Sequence, residues 1–217
     1  STAGVGGNAA IIAGDSNSLT GGAVTILSGQ GRSVSSGSIG VTTASAEETG
    51  KKTGSITIGS GHSSGAGTGS IVLETGRTEN EETSDARESY LVVGVGKSMK
   101  QGGDIHVTAG KVTGSRFTGG NIKIVSGQSV EKMSGGLSLQ TTSGIAGVSG
   151  KVTIQTGTAS SSSSGQIRVE TGVSAKSTPG SIQMQVGSTA GDQRTTTAGS
   201  VITMVGTSAL TTGGKIN

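Results

Sequence analysis

Aliphatic residues alternate with polar or small residues in short segments that recur along the chain. The template is G-x-Φ-x-Φ-x-[S/T]-G, where Φ is aliphatic, and it appears as GAVTILSG from Gly22, GSITIGSG from Gly54 and GNIKIVSG from Gly120. Thirteen copies, most of them 15 residues apart, begin between Gly7 and Gly199. Because a period of two places alternate side chains on one face of a strand, each copy predicts a short β-strand with an aliphatic pair on one side.

One such strand cannot bury its aliphatic pair alone, so the repeat predicts coils stacked above and below one another. We therefore expect an all-β fold, a parallel β-solenoid of about 13 coils of ~15 residues with two facing sheets. The general handedness of parallel crossovers favours a right-handed coil. The expected core residues are the pairs Val24 and Ile26, Ile56 and Ile58, Ile71 and Leu73, Ile105 and Val107, Ile122 and Ile124, Val152 and Ile154, and Ile167 and Val169.

Two further positions of the repeat show a pattern. The seventh position often carries a hydroxyl group, as in Ser28 and Thr156, and is expected to extend the inward face. The tenth position is small in the regular copies, which indicates a place where the backbone comes close to another part of the chain. Its residues are Gly31, Ser63, Ser129, Gly144, Ala159 and Ser174.

Four repeats are longer than the others, and each is lengthened after its strand. We expect a single solenoid domain over residues 1–217 with loop insertions near 44–53, 77–88, 111–118 and 188–198. Inserted loops often carry binding residues. The candidate partner residues are therefore Glu79, Glu81, Glu82 and Asp85 in the second insertion and Arg116 and Phe117 in the third. A solvated acidic loop, and an aromatic ring packed under its own loop, are the plainer interpretations of the same residues.

Composition favours a thin interior over a globular core. The 217 residues include 42 glycines, one tyrosine and one phenylalanine, with no tryptophan and no cysteine. Such a glycine content would suit a disordered chain, but the net charge is only +3 and the aliphatics are periodic. The absence of cysteine excludes a disulfide scaffold. No run approaches the roughly 18 apolar residues of a membrane-spanning helix.

No set of residues in the sequence points to catalysis. The two histidines, His62 and His106, are 44 residues apart, and no metal-ligand spacing is present. We therefore expect a protein that is not an enzyme and that uses no cofactor or metal.

The surface positions of the repeat bear on three binding functions. The fourth and sixth positions carry no regular Thr-x-Thr pairs, which argues against ice binding, although a second face leaves that function open. The chain is basic, with a pI near 9.3, but it lacks an aromatic stacking platform, so we expect no nucleic-acid partner. Polysaccharide or mineral remains an open partner.

The ends of the sequence resemble neither a polar cap nor a blocking helix. An uncovered terminal coil presents unpaired backbone groups, so we expect either self-association, head-to-tail or lateral, or a window cut from a longer repeat protein.

The units GGAVTILSG from Gly21 and GGNIKIVSG from Gly119 resemble the Gly/Ser/Thr-rich repeats of secreted or surface β-solenoid proteins of diatoms and related algae, which are similar in style to bacterial filamentous adhesins. This resemblance covers nearly the whole chain and implies an extracellular or cell-surface location. It implies a structural role in a fibre, wall or matrix. The alternative is a surface adhesin or binding module for glycan, mineral or ice.

Overall fold

A computed structural model of the chain describes residues 6–33, 35–48, 50–65, 67–77, 89–114, 116–145, 147–188, 199–206 and 216. No helix and no strand is present in these residues. The chain divides into an N-terminal unit, Ser1–Val107, and a C-terminal unit, Thr108–Asn217. Within the ranges just given, no helix is long and apolar enough to cross a membrane.

The predicted parallel β-solenoid is wrong for this structure. In the described ranges, the backbone hydrogen bonds join isolated pairs of residues and form no ladder between successive repeats. No side chain there is buried. The all-β class, the two facing sheets and the stacked coils are therefore not found in the part of the chain that the structure describes.

The solvent-accessible surface area can be compared with the areas expected for a folded and an unfolded chain of the same mass. The chain exposes 22949 Å². A folded monomer of its mass, 20.9 kDa, exposes about 9,000 Å², and the corresponding unfolded chain about 30,000 Å². The surface area is thus much closer to that of a chain without a core.

The fourteen aliphatic side chains expected in the core are exposed in a regular way. We call them the aliphatic pairs. The first member of each pair is about half exposed, from 50% at Ile71 to 59% at Val152. The second member is more exposed, from 64% at Ile124 to 72% at Val107. The same two levels recur in seven repeats, so equivalent positions of these repeats are exposed to a similar degree although no ladder joins them.

A physical reason for the absent ladder lies in the composition of the repeat. Each repeat offers two large aliphatic side chains for burial, whereas stacking would fix the backbone of about 15 residues. Glycine loses the most backbone freedom on ordering, and the chain contains 42 of them. The alternation therefore determines which side chains share a side of a segment, but it does not ensure that neighbouring segments pair.

Four of the connections between successive segments are closed by a backbone hydrogen bond between glycines. In the N-terminal unit, the Gly22 N–H donates to the Gly14 carbonyl over 2.8 Å, and the Gly37 N–H donates to the Gly29 carbonyl over 2.9 Å. In the C-terminal unit, the equivalent bonds run from Gly120 to Gly110, 3.0 Å, and from Gly135 to Gly127, 2.9 Å. A surface loop whose ends meet in this way is an Ω-type loop. The chain bends inside such connections at 17–19, 32–33, 64–65, 130–132, 160–162 and 175–177.

The first glycine of a repeat lies against the seventh side chain of the repeat before it. A Cβ atom at Gly103 would lie 2.7 Å from Cγ1 of Val95, which is closer than two carbon atoms approach. Where the seventh residue is Ser, Thr or Ala, the equivalent distance is longer, for example 3.4 Å from Ser28 to a Cβ at Gly37. The seventh side chain of one repeat therefore lies where the loop closes. Its close contact explains why the next repeat begins with glycine.

Candidate functional site

The aliphatic pairs form one side of each segment, and polar side chains two residues apart meet elsewhere on the same segments. Arg168 and Glu170 form an ion pair. Gln183 Nε2 donates to Gln185 Oε1 over 3.4 Å. These four residues occupy the fourth and sixth positions of their repeats, whereas the aliphatic pairs occupy the third and fifth. The polar side chains that contact each other thus stand two residues apart, at positions outside the aliphatic pairs.

A serine at the tenth position holds the loop in three repeats. Ser129 Oγ accepts a hydrogen bond from the Lys132 N–H over 2.9 Å, and Ser174 Oγ accepts one from the Ser177 N–H over 3.1 Å. The third bond of this kind runs from the Leu19 N–H to Ser16 Oγ, 3.0 Å. Such side-chain bonds to the backbone three residues later stabilise turns. Three of the small tenth-position residues are thus serines whose hydroxyl groups bond to the backbone of the following turn.

Ser174→Ala is expected to loosen the loop that follows it. The substitution removes the acceptor of the Ser177 N–H, at about 0.5–1.5 kcal/mol for one hydrogen bond. Amide hydrogen exchange at Ser177, followed by NMR, should become faster. Ser163→Ala, at an exposed serine, is the matched control and should leave exchange at Ser177 unchanged. Equal exchange at Ser177 in the original chain and in Ser174→Ala would show that the hydroxyl does not hold the loop.

The first insertion, near 44–53, contains a tight turn. The Lys51 N–H donates to the Glu48 carbonyl over 3.2 Å. Gly50 has a φ of 84°, which favours glycine at the third position of such a turn. The insertion therefore contains a local turn at Gly50, where any residue with a larger side chain would strain the backbone.

The second insertion, near 77–88, begins beside a shallow depression lined by residues 74–77. Glu74 and Arg77 supply its charged groups. The predicted partner residues Glu79, Glu81, Glu82 and Asp85 lie outside the described residues. The depression therefore marks only the start of this insertion.

The third insertion, near 111–118, places Arg116 and Phe117 at the surface. Phe117 is 78% exposed. A Cβ atom at Gly114 would lie 4.0 Å from its ring atom Cδ2, so the ring touches the edge of the loop only. The interpretation of Phe117 as a side chain packed under its own loop is therefore wrong, and the ring is accessible to solvent.

The two histidines lie in different surroundings. His62 is exposed. His106 Nε2 lies 3.9 Å from Asp104 Oδ2, and the side chains of the two residues are 85% and 81% exposed. Over the described ranges, no group of three or more His, Cys, Asp or Glu residues is close enough to hold a metal ion. The described residues thus carry three recurring features, namely the aliphatic pairs, the closed loops and the exposed charges.

Comparison of the chain with protein-family models, with curated proteins and with solved structures gives no match. The resemblance to secreted repeat proteins rests on the repeat motif alone.

Proposed function

We propose that this protein is a structural, non-enzymatic component of an extracellular fibre, wall or matrix, and that its copies associate through the aliphatic pairs. The observation that carries this proposal is the exposure of all fourteen of these side chains at two recurring levels. Apolar side chains repeated at a regular spacing can be buried together against a partner, and a contiguous patch formed in this way commonly marks a contact surface. The proposed partner is a second copy, because the same aliphatic pair is repeated on every chain.

The number of repeats matters for the strength of this association. Full burial of one aliphatic side chain contributes roughly 1.5–3 kcal/mol. Association costs roughly 4–15 kcal/mol in lost translational and rotational freedom, so one aliphatic pair, at roughly 3–6 kcal/mol, would not hold two chains together against most of this range. Several repeats that bind at once would, because each contact after the first is effectively intramolecular.

The closed loops support the same proposal. Four of them are closed by the same glycine-to-glycine bond, and the aliphatic pairs of seven repeats are exposed to similar degrees. Equivalent repeats of one copy can meet those of a second copy in a shifted register, which leaves further repeats unpaired at both ends. Contacts that do not close on themselves generate open filaments.

The extracellular location is proposed from the resemblance of the repeat units to those of secreted and surface repeat proteins. Exposed aliphatic side chains can cause aggregation with other proteins where those proteins are abundant. A wall or matrix, where the proposed partner is the protein itself, suits such a surface.

Electron microscopy of the purified full chain over a range of concentrations tests the proposed function. We expect long unbranched fibres above a threshold concentration, with sedimentation velocity showing the loss of monomer at the same point. A monodisperse monomer at every concentration would overturn the proposal. If that monomer bound glycan or ice saturably, the adhesin alternative would replace it.

A further inference from the structure

The excess of basic over acidic residues in the described chain is concentrated in one of its two units. The described part of the C-terminal unit holds seven Lys and Arg residues but only two acids, Glu131 and Glu170. The described part of the N-terminal unit holds six Lys and Arg residues and five Asp and Glu residues. The seven basic residues of the C-terminal unit are Lys111, Arg116, Lys123, Lys132, Lys151, Arg168 and Lys176. The small net charge of the whole chain conceals this difference.

These basic side chains are available to a partner. All seven residues are exposed. Arg168 forms an ion pair with Glu170, and the other six have no acidic partner among the residues that the structure describes. An excess of one charge on a surface raises the local concentration of ions of the opposite sign. The C-terminal unit therefore attracts anions.

The spread of the charges indicates the size of the anion. The seven residues are distributed over residues 111–176, so they do not converge on one pocket. A single exposed ion pair contributes little and is screened by salt. A small anion would be held by one such pair, whereas a polymer with repeated negative groups can contact several at once. The arrangement therefore fits a polyanion.

The composition of the unit indicates which polyanion. Proteins that bind single-stranded nucleic acid usually stack bases on aromatic rings, and Phe117 is the one aromatic residue of the C-terminal unit. Hydroxyl side chains are abundant instead, as in the serine tract 160–164, and they can exchange hydrogen bonds with sugar hydroxyls. We infer that the C-terminal unit binds an acidic polysaccharide, one that carries carboxylate or sulfate groups, through its exposed Lys and Arg side chains.

Two variants with the same change of charge test this inference. The first combines K111Q, K123Q, K132Q and K151Q in the C-terminal unit, and the second combines K51Q, K52Q, K97Q and K100Q in the N-terminal unit. The full chain and both variants are titrated, below the concentration at which fibres form, against heparin, polygalacturonate, neutral dextran and a single-stranded DNA oligonucleotide. All eight lysines are exposed, so neither variant is expected to change the circular dichroism spectrum.

We expect the original chain to bind heparin or polygalacturonate but not dextran, with an affinity that falls as salt is raised. The C-terminal variant should bind roughly tenfold more weakly or worse, and the N-terminal variant within about twofold of the original chain. Preference for heparin would identify sulfate as the recognised group, and preference for polygalacturonate would identify carboxylate.

Three results would overturn the inference. Equal loss in the two variants would mean that only the total charge matters. Tighter binding of the DNA oligonucleotide than of either acidic polysaccharide would point to a nucleic-acid partner, and an original chain that binds neither polysaccharide would exclude the proposed ligand class. Since these titrations use the unassembled chain, their outcome is independent of whether the protein forms fibres.

Discussion

Changing Ile26, Leu73 and Ile124 together to serine is expected to abolish fibre formation at concentrations where the original chain assembles. These residues are the second members of three aliphatic pairs and are 65%, 66% and 64% exposed. Loss of their burial between copies removes roughly 1.5 kcal/mol or more per side chain, about tenfold in affinity for each. Electron microscopy and the threshold concentration in sedimentation measure the effect.

The matched control changes the neighbouring aliphatics Leu27, Val72 and Val125 to serine in the same three repeats. These side chains are 84%, 69% and 71% exposed, but they stand at even positions, outside the aliphatic pairs. We expect the control variant to assemble like the original chain. If both triple variants lose assembly equally, association depends on total hydrophobicity, and the aliphatic pairs are not the contact surface.

Neither triple variant should alter the single chain, because none of the six side chains is buried. Exposed substitutions away from special features change stability by about 0.5 kcal/mol or less. The circular dichroism spectrum below the assembly threshold should therefore be the same in all three proteins. A changed spectrum would mean that the aliphatic pairs stabilise the single chain itself.

Gly144→Ala is expected to open the loop at 144–147. A Cβ atom at Gly144 would overlap the carbonyl oxygen of Gly147, and its backbone cannot move aside as a flexible side chain could. Steric overlap of this kind costs about 1–3 kcal/mol. Backbone chemical shifts across the loop should change, and limited proteolysis near Ile145 should become faster.

Gly147→Ala is the control for this prediction. No atom outside its immediate neighbours lies within 4 Å of a Cβ built at Gly147, and its φ lies outside the region that only glycine tolerates. The substitution should leave both the chemical shifts and the proteolysis of the loop close to those of the original chain. Identical behaviour of the two alanine variants would contradict the close approach of Gly144 to Gly147.

The sequence pattern predicted the local structure and failed at the pairing of segments. The spacing of the repeats and the small residues at their tenth position are visible in the sequence, because neighbouring residues determine them. Pairing depends instead on whether the free energy gained from a hydrogen-bonded ladder exceeds the backbone entropy that is lost. The sequence around Val152 and Ile154 does not show this balance, because it describes one segment and not a pair of segments.

A core position would make Ile154→Asp strongly destabilising. At 70% exposure, the single chain should tolerate it as well as Thr153→Asp.

The candidate site shows the same limit. The aliphatic pairs were recognised as special, but the alternation cannot distinguish an interior from a contact surface between copies. The contact between the first glycine of a repeat and the seventh residue of the repeat before it could have been predicted from the sequence. That seventh residue is small in the repeats where the contact is longest. The hydrogen bond to Ser16 Oγ could also have been predicted, because Ser16 occupies the same tenth position as Ser129 and Ser174.

The loops joined by single hydrogen bonds between glycines, such as Gly14 to Gly22 and Gly127 to Gly135, give the chain a reserve of length. Tension along a fibre would break one such bond at a time, and each opened loop would release roughly 20 Å of chain, because about 26 Å of extended chain replaces ends about 5 Å apart. The bond can form again when the load falls, because its two ends remain on the same short segment. A fibre built from this repeat would therefore stretch in small reversible steps and dissipate mechanical work before its contacts between copies part.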